Sequence, residues 1–295
     1  MMETATPSPV ATADLPRTPP SPPEEPLVVI EPSRTWNAID MRDVWAHREL
    51  LYFLTWRDLK VRYKQTVVGV AWVILQPLMT TIIFTVFLGV LARVPSDGAP
   101  YPLMVYVGLL PWMFFSGAVL NSSSSLLGNS HLITKVYFPR ILVPAAAIGA
   151  RLADFGIGFV ILAGMMLYYR VPLSRGVLML PVLIVLTTLL ALGLGMLFSA
   201  LSVKHRDIGF ALPVLMQFWM YVSPIIYPLS FIPPKWQGVY KLNPLVAITE
   251  NFRAALLGRS FDWRGLAITS IITLVLLVCS AYVFKRAERS FADTI

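Results

Sequence analysis

Uninterrupted apolar runs of about twenty residues recur along this chain, and no other feature limits its fold so severely. A helix of that length crosses some 30 Å of hydrocarbon. Only helices and closed barrels satisfy their own backbone in that medium. Six runs qualify, near residues 68–91, 103–120, 143–168, 177–201, 210–227 and 266–284. Charged residues make up 14% of the chain and hydrophobic ones 56%, against roughly 25% charged in a soluble domain. Water is therefore not the main solvent, and the expected fold is an all-α integral membrane protein with six transmembrane helices. Pro77, Pro111 and Pro213 fall within or near the ends of these runs, which neighbouring helices can accommodate.

The residues outside the runs divide the chain further. Residues 1–32 hold nine prolines, five acidic residues and one arginine, and read as a disordered tail with no signal-peptide pattern. Residues 33–67 include RELLYFLTWRDLKVRY, where apolar and basic side chains alternate irregularly. That mixture suits an amphipathic helix lying at the headgroup boundary, on anionic lipid, although a helix packed on a soluble domain has the same charge pattern. A six-span domain at 68–284 and a short tail at 285–295 complete the expected organisation.

Lysine and arginine at span ends set the expected orientation. Arg57, Lys60, Arg62 and Lys64 precede the first run and mark the cytoplasmic side. With six spans that side also receives Lys135, Arg140, Lys204, Arg206, Lys285, Arg286 and Arg289, and both termini. The last external connection works against this, since it carries Lys235, Lys241, Arg253, Arg259 and Arg264. The same connection is too apolar for a loop and too interrupted for a span, so two short re-entrant helices beside a cavity are expected there. The net charge of +8 lies at span ends rather than in one stripe, which argues against nucleic acid as a partner.

Catalytic chemistry is sparse. No phosphate-binding glycine loop is present, so any work driven by ATP falls to a partner. His47, His131 and His205 lack ligand spacing, and the single cysteine, Cys279, forms neither an intrachain disulfide nor a multi-cysteine site; no metal site is expected. Within the spans, Arg151 and Asp154 stand at i and i+3 as one ion pair, either functional or structural. One carboxylate does not support paired-carboxylate hydrolysis or transfer. Aromatic side chains are abundant: Trp72, Phe84, Tyr106, Trp112, Phe115, Phe218, Trp219 and Tyr221 are candidates either for interfacial belts or for the wall of a conduit.

Three stretches resemble one known family. They are TWRDLKVRYKQTVVGVAWVILQPL, GLLPWMFFSGAVLNSSSSLLGNSHLITKVYFPRILVP and VKHRDIGFALPVLMQFWMYVSPIIYPLSFIPPKWQGVYKLNPLVAITENFRAALLG, together spanning most of residues 55–260. In order and spacing they are similar to the ABC-2 type permeases, in particular the exporters of polysaccharide and polyol phosphate that include O-antigen permeases. The resemblance implies a permease subunit in a bacterial inner membrane, paired as a homodimer with two copies of an ATP-binding subunit that holds ATP and magnesium. It implies a lipid-linked polysaccharide as cargo and no cofactor on this chain. It also identifies residues 123–135 with a coupling helix, so that Ser123, Ser124, Leu126, Leu127, His131 and Lys135 are expected at the ATPase contact. Tyr137, Phe138 and Arg140 match the turn that follows, residues 57–64 a gate or interface helix, residues 204–207 a second contact, and residues 233–258 the re-entrant helices. A small-molecule or lipid exporter of the same build, a polyprenyl-sugar transferase and a membrane scaffold are the rival readings.

Overall fold

The computed structural model describes residues 41–64 and 67–294, so the expected 1–32 tail lies outside the described residues. Among those residues the regular elements are all helical. In chain order they are α1 (Met41–Ala46), α2 (Arg48–Lys64), α3 (Val67–Phe84), α4 (Tyr101–Gly128), α5 (Ser130–Lys135) and α6 (Leu142–Tyr168). Then follow α7 (Leu180–Lys204), α8 (Ile208–Val222), α9 (Pro234–Tyr240), α10 (Pro244–Leu257) and α11 (Trp263–Thr294). A π-helical stretch, Thr85–Leu91, extends α3, and a 3-10 turn, Arg175–Met179, leads into α7.

Five segments are long and apolar enough to cross a membrane: Ala71–Leu91, Tyr101–Gly128, Leu142–Tyr168, Arg175–Lys204 and Trp263–Glu288. Their outward side chains include Trp72, Ile82, Phe87 and Val90 on the first and Ile271, Leu274, Val275 and Val278 on the last, all exposed. An apolar belt of that extent belongs in lipid, not in water. The protein is an all-α integral membrane protein.

α4 is the axis of the bundle. In its most apolar window 83% of residues are buried, against 11% for the first segment, which is peripheral. Around α4 pack α6, α7, α8 and α10, with Phe114, Phe115, Phe155, Leu190 and Phe252 in one large apolar core. A second core closes one end of the bundle and is built from Leu54 of α2, Leu126 of α4, Ile133 of α5, Leu142 of α6, Val203 of α7 and Phe284 and Phe291 of α11. This is the α5 end.

Several boundaries differ from the sequence expectation, each for a physical reason. The second span does not stop at residue 120 but continues to Gly128, through a run of four serines. Ser123 and Ser125 donate to the carbonyls of Leu120 and Ser122, each at 2.7 Å, so the helix satisfies their polarity itself. The fifth run ends at Val222 rather than 227, because Ser223 precedes Pro224 and is held extended at ψ 144°. Residues 285–294 are not a separate tail but the last turns of α11. The basic segment before the first span forms two helices, broken at His47, whose Nδ1 lies 2.9 Å from the Asp43 carbonyl. Its apolar side chains are not gathered on one face: Leu54 is buried, whereas Trp45, Tyr52, Phe53 and Trp56 are exposed.

α8 has 15 residues and rises about 22 Å, short of the hydrocarbon thickness on its own. It nevertheless starts near the α5 end, after α7, and its chain reaches the other end, where the Tyr101 hydroxyl donates to the Ile226 carbonyl at 3.2 Å. α10 begins beside Trp219, whose Nε1 donates to Asn243 Oδ1 at 3.2 Å. It ends next to the 93–100 loop, through Arg259 and Asp97.

Candidate functional site

The residues expected at the coupling element fall into two groups. Ser123, Ser124, Leu126 and Leu127 belong to the last turns of α4, not to the short helix α5, and Ser123 and Leu126 are buried. Those two side chains pack inward. His131 and Lys135 lie exposed on α5. Beyond them Val136 and Tyr137 stand out, Tyr137 at 84% exposure, while the adjacent Phe138 is buried in the second core. One aromatic is thus an anchor and its neighbour a free knob.

Arg140 is engaged within the chain. Its guanidinium donates to the Glu288 carbonyl, its backbone N–H donates to the Glu288 carboxylate at 3.3 Å, and it lies 5.8 Å from the Phe291 ring centre. It braces the turn after α5 against α11. Lys285 pairs with the same Glu288 at 3.1 Å.

The basic cluster of α2 is divided in the same way. Lys60 and Lys64 are exposed, whereas Arg57 and Arg62 reach other helices. Arg57 Nη2 donates to Asn129 Oδ1 at 2.6 Å, at the joint between α4 and α5. Arg62 and Tyr63 both donate to the Asp154 carboxylate on α6. The expected Arg151–Asp154 pair is present at 3.1 Å, and Arg151 also donates to Asn121 Oδ1 of α4 at 3.1 Å. Sequence spacing identified the pair but not its outside partners, which lie 91 and 92 positions away. Burial, and the hydrogen bond to the Asp154 carboxylate, push the Tyr63 phenol above its usual range.

The aromatic candidates do not form one wall. Tyr106, Trp112 and Phe115 are buried in the apolar core, and Phe115 meets Trp219 edge to face at 5.6 Å. They are packing residues, since α4 lies at the centre of the bundle and its rings fill that centre. Phe84 is half-buried, and Trp72, Phe218 and Tyr221 lie on the outer surface of α3 and α8. Among the described residues no group of three or more His, Cys, Asp or Glu side chains is gathered in a metal-binding arrangement.

The most constrained polar site lies away from the α5 end, at a residue that in the sequence is one of several charges in the last connection. Arg253 of α10 is fully buried. Its Nη1 donates to the Pro224 and Tyr227 carbonyls at 3.0 and 3.2 Å and to Glu250 at 2.7 Å, and its Nη2 donates to the Ile225 carbonyl at 2.6 Å. One guanidinium therefore holds the non-helical chain after α8. Gly108 makes the space, because a Cβ there would lie 2.2 Å from the Ile225 oxygen and 2.8 Å from Arg253 Nη2. The only sequence signal was an arginine three residues after a glutamate in an apolar segment. Nearby, Asp97 and Gly98 take positive φ of 49° and 83°. The Asp97 carboxylate accepts from Ser230 at 2.7 Å and from Arg259 at 3.2 Å.

The ABC-2 type transporter family model matches residues 49–257. The chain is similar to the O-antigen export system permease protein RfbA of Myxococcus xanthus, 26% identical over 260 residues, covering 86% of this chain and 98% of that protein. It is 27% identical over 248 residues to a Klebsiella pneumoniae protein of the same name, covering 84% and 95%. The polysialic acid transport protein KpsM of Escherichia coli is 23% identical over 239 residues, covering 79% of this chain and 92% of that one. The chain belongs to the ABC-2 type transporter family.

Proposed function

We propose that this ABC-2 family member is the permease subunit of an ATP-driven exporter that carries lipid-linked polysaccharide from the cytoplasmic face across the bacterial inner membrane. The observation that carries the reading is the alignment with two O-antigen export permeases over 84–86% of this chain and 95–98% of theirs. A match along nearly the whole of both chains includes the helices that would form the path, beyond a shared fragment.

In this reading α8 and the chain after it make the sixth crossing, and α9 and α10 re-enter the outer leaflet. The start of α10 beside Trp219 supports this, since Trp219 meets Phe115 in the middle of α4. α2, α5 and the far end of α11 face the cytoplasm. Of the five cations of the opposite connection, Lys241, Arg253 and Arg259 are held within it by Asp262, Glu250 and Asp97. A separate subunit, in two copies, supplies ATP hydrolysis with magnesium and docks on α5 and Tyr137. Two copies of this chain surround the path, as one bundle is filled by its own side chains around α4.

The test is co-purification with the ATP-binding subunit encoded in the same genome, followed by ATPase assay in lipid discs with and without lipid-linked glycan. A stable complex stimulated by the glycan is the expected result. A folded chain that binds no such subunit would overturn the reading.

A further inference from the structure

We propose that α2 is a fixed part of the coupling element, which moves with α5 as one body instead of swinging as a separate gate. The inference rests on the exporter reading and adds to it a role for the side chains that tie α2 to its neighbours. α2 is strapped at two points along its length. Arg57 donates to Asn129 Oδ1 at 2.6 Å, and the same asparagine amide donates to the Ser125 carbonyl at 2.8 Å, so the strap ends on the joint between α4 and α5. Five and six residues later Arg62 and Tyr63 converge on Asp154, itself held by Arg151, which is tied to Asn121 of α4.

One turn before the Arg57 strap α2 is also in close contact with its neighbours. Leu54 is buried in the same core as Leu126, Ile133 and Leu142. Gly149 of α6 lies against Thr55, where a Cβ would come within 3.1 Å of the threonine side chain. A hinged element would instead leave the polar groups that face its neighbours to solvent. Parting α2 from α6 would strand Asp154, whose side chain is 13% exposed, and leave a poorly solvated carboxylate with fewer partners. Displacement of α5 by the ATPase therefore carries α2 with it, through Asn129 and Arg57, and carries the start of the first span in turn.

The experiment replaces the polar strap with a covalent one. In a Cys279→Ser background, Arg57→Cys and Asn129→Cys are combined, and the complex with the ATP-binding subunit is assayed in lipid discs before and after a short bifunctional thiol reagent. Without the reagent the double variant loses glycan-stimulated ATPase several-fold, and cross-linking restores it. Stimulation abolished by the cross-link and recovered on cleaving it would show that α2 swings independently, and would overturn the proposal. Stimulation untouched in both states would overturn it as well. Tyr63→Phe, a milder change at the other strap, lowers stimulation several-fold if the proposal holds and leaves it unchanged if it does not. The Cys279→Ser complex is the control: no glycan response there would overturn the exporter reading itself.

Discussion

Arg253 shows how a single residue can set the path of a whole connection. Its guanidinium has four acceptors in fixed directions, an arrangement that a lysine ammonium on a flexible stem does not reproduce. Arg253→Lys is therefore expected to lower the melting temperature of the purified protein in detergent, and Arg253→Ala to lower it further. Removing one member of a buried ion pair costs on the order of 3–5 kcal/mol, and Arg253→Ala would also leave three carbonyls without their donor and Glu250 with only the Leu229 N–H. A Glu250→Gln, Arg253→Ala double variant no more stable than Arg253→Ala would show that the carbonyls, not the charge, dominate. Gly108→Ala is expected to destabilise by about 1–3 kcal/mol through overpacking, because the atom its Cβ would strike is backbone. An unchanged melting temperature in Gly108→Ala would mean that α4 and the post-α8 chain have more freedom than their spacing implies. Little of this was legible in the sequence, where the one mark that sets Arg253 apart from Arg259 and Arg264 is the glutamate three positions before it.

At the scale of elements, helix identity was legible and helix ends were not. Apolar runs identify a span because lipid demands length, but where a helix stops depends on local polar bookkeeping that composition does not reveal. The four serines after residue 120 lie past the expected end of the second span and continue its helix; Ser223 looks like span and is the break. The same limit moved Ser123 and Leu126 from a docking surface into the interior, and fixed Arg140 to α11. It also changes what a mutation there should do. Tyr137→Ala removes an exposed ring, so the chain should fold normally while its affinity for the proposed ATP-binding subunit, measured by titration of the purified components, drops by about tenfold or more, as for an interface aromatic worth over 1.4 kcal/mol. Phe138→Ala should do the opposite, costing about 3–5 kcal/mol of stability by opening a cavity in the second core. Arg140→Glu places a carboxylate against Glu288 and Phe291, so its first effect should be a lower melting temperature rather than selective uncoupling. Equal loss of partner affinity in Tyr137→Ala and Phe138→Ala, with both variants fully stable, would count against the division into knob and anchor.

For the whole molecule the internal contacts constrain how many times the chain crosses. Loop 93–100, residue Ser174 and the end of α10 meet one another through Arg259, Asp97 and the Ser174 hydroxyl on the Ala255 carbonyl. These therefore share one end of the bundle. The end of α4, α5, the start of α6 and the end of α7 share the other, through the second core. α8 leaves from the second end and its chain arrives at the first, so a chain with only five crossings would have to leave α8 displaced along the membrane surface and break the Tyr101 contact with Ile226. Single cysteines introduced in a Cys279→Ser background test this directly with a membrane-impermeant thiol reagent on intact and inverted vesicles. Tyr137→Cys and Arg206→Cys should react only from the cytoplasmic face, and Leu173→Cys and Trp236→Cys only from the opposite one; all four positions are exposed. Reaction of Trp236→Cys from the cytoplasmic face would remove the sixth crossing and, with it, the outer-leaflet placement of α9 and α10. The pattern would also report on assembly, because Phe218 and Tyr221 of α8 and Trp72 of α3 are exposed on a single copy. If two copies close around a path, some of these rings should be shielded from lipid, and a lipid-soluble reagent should label a cysteine at those positions less in the assembled dimer than in the dissociated chain.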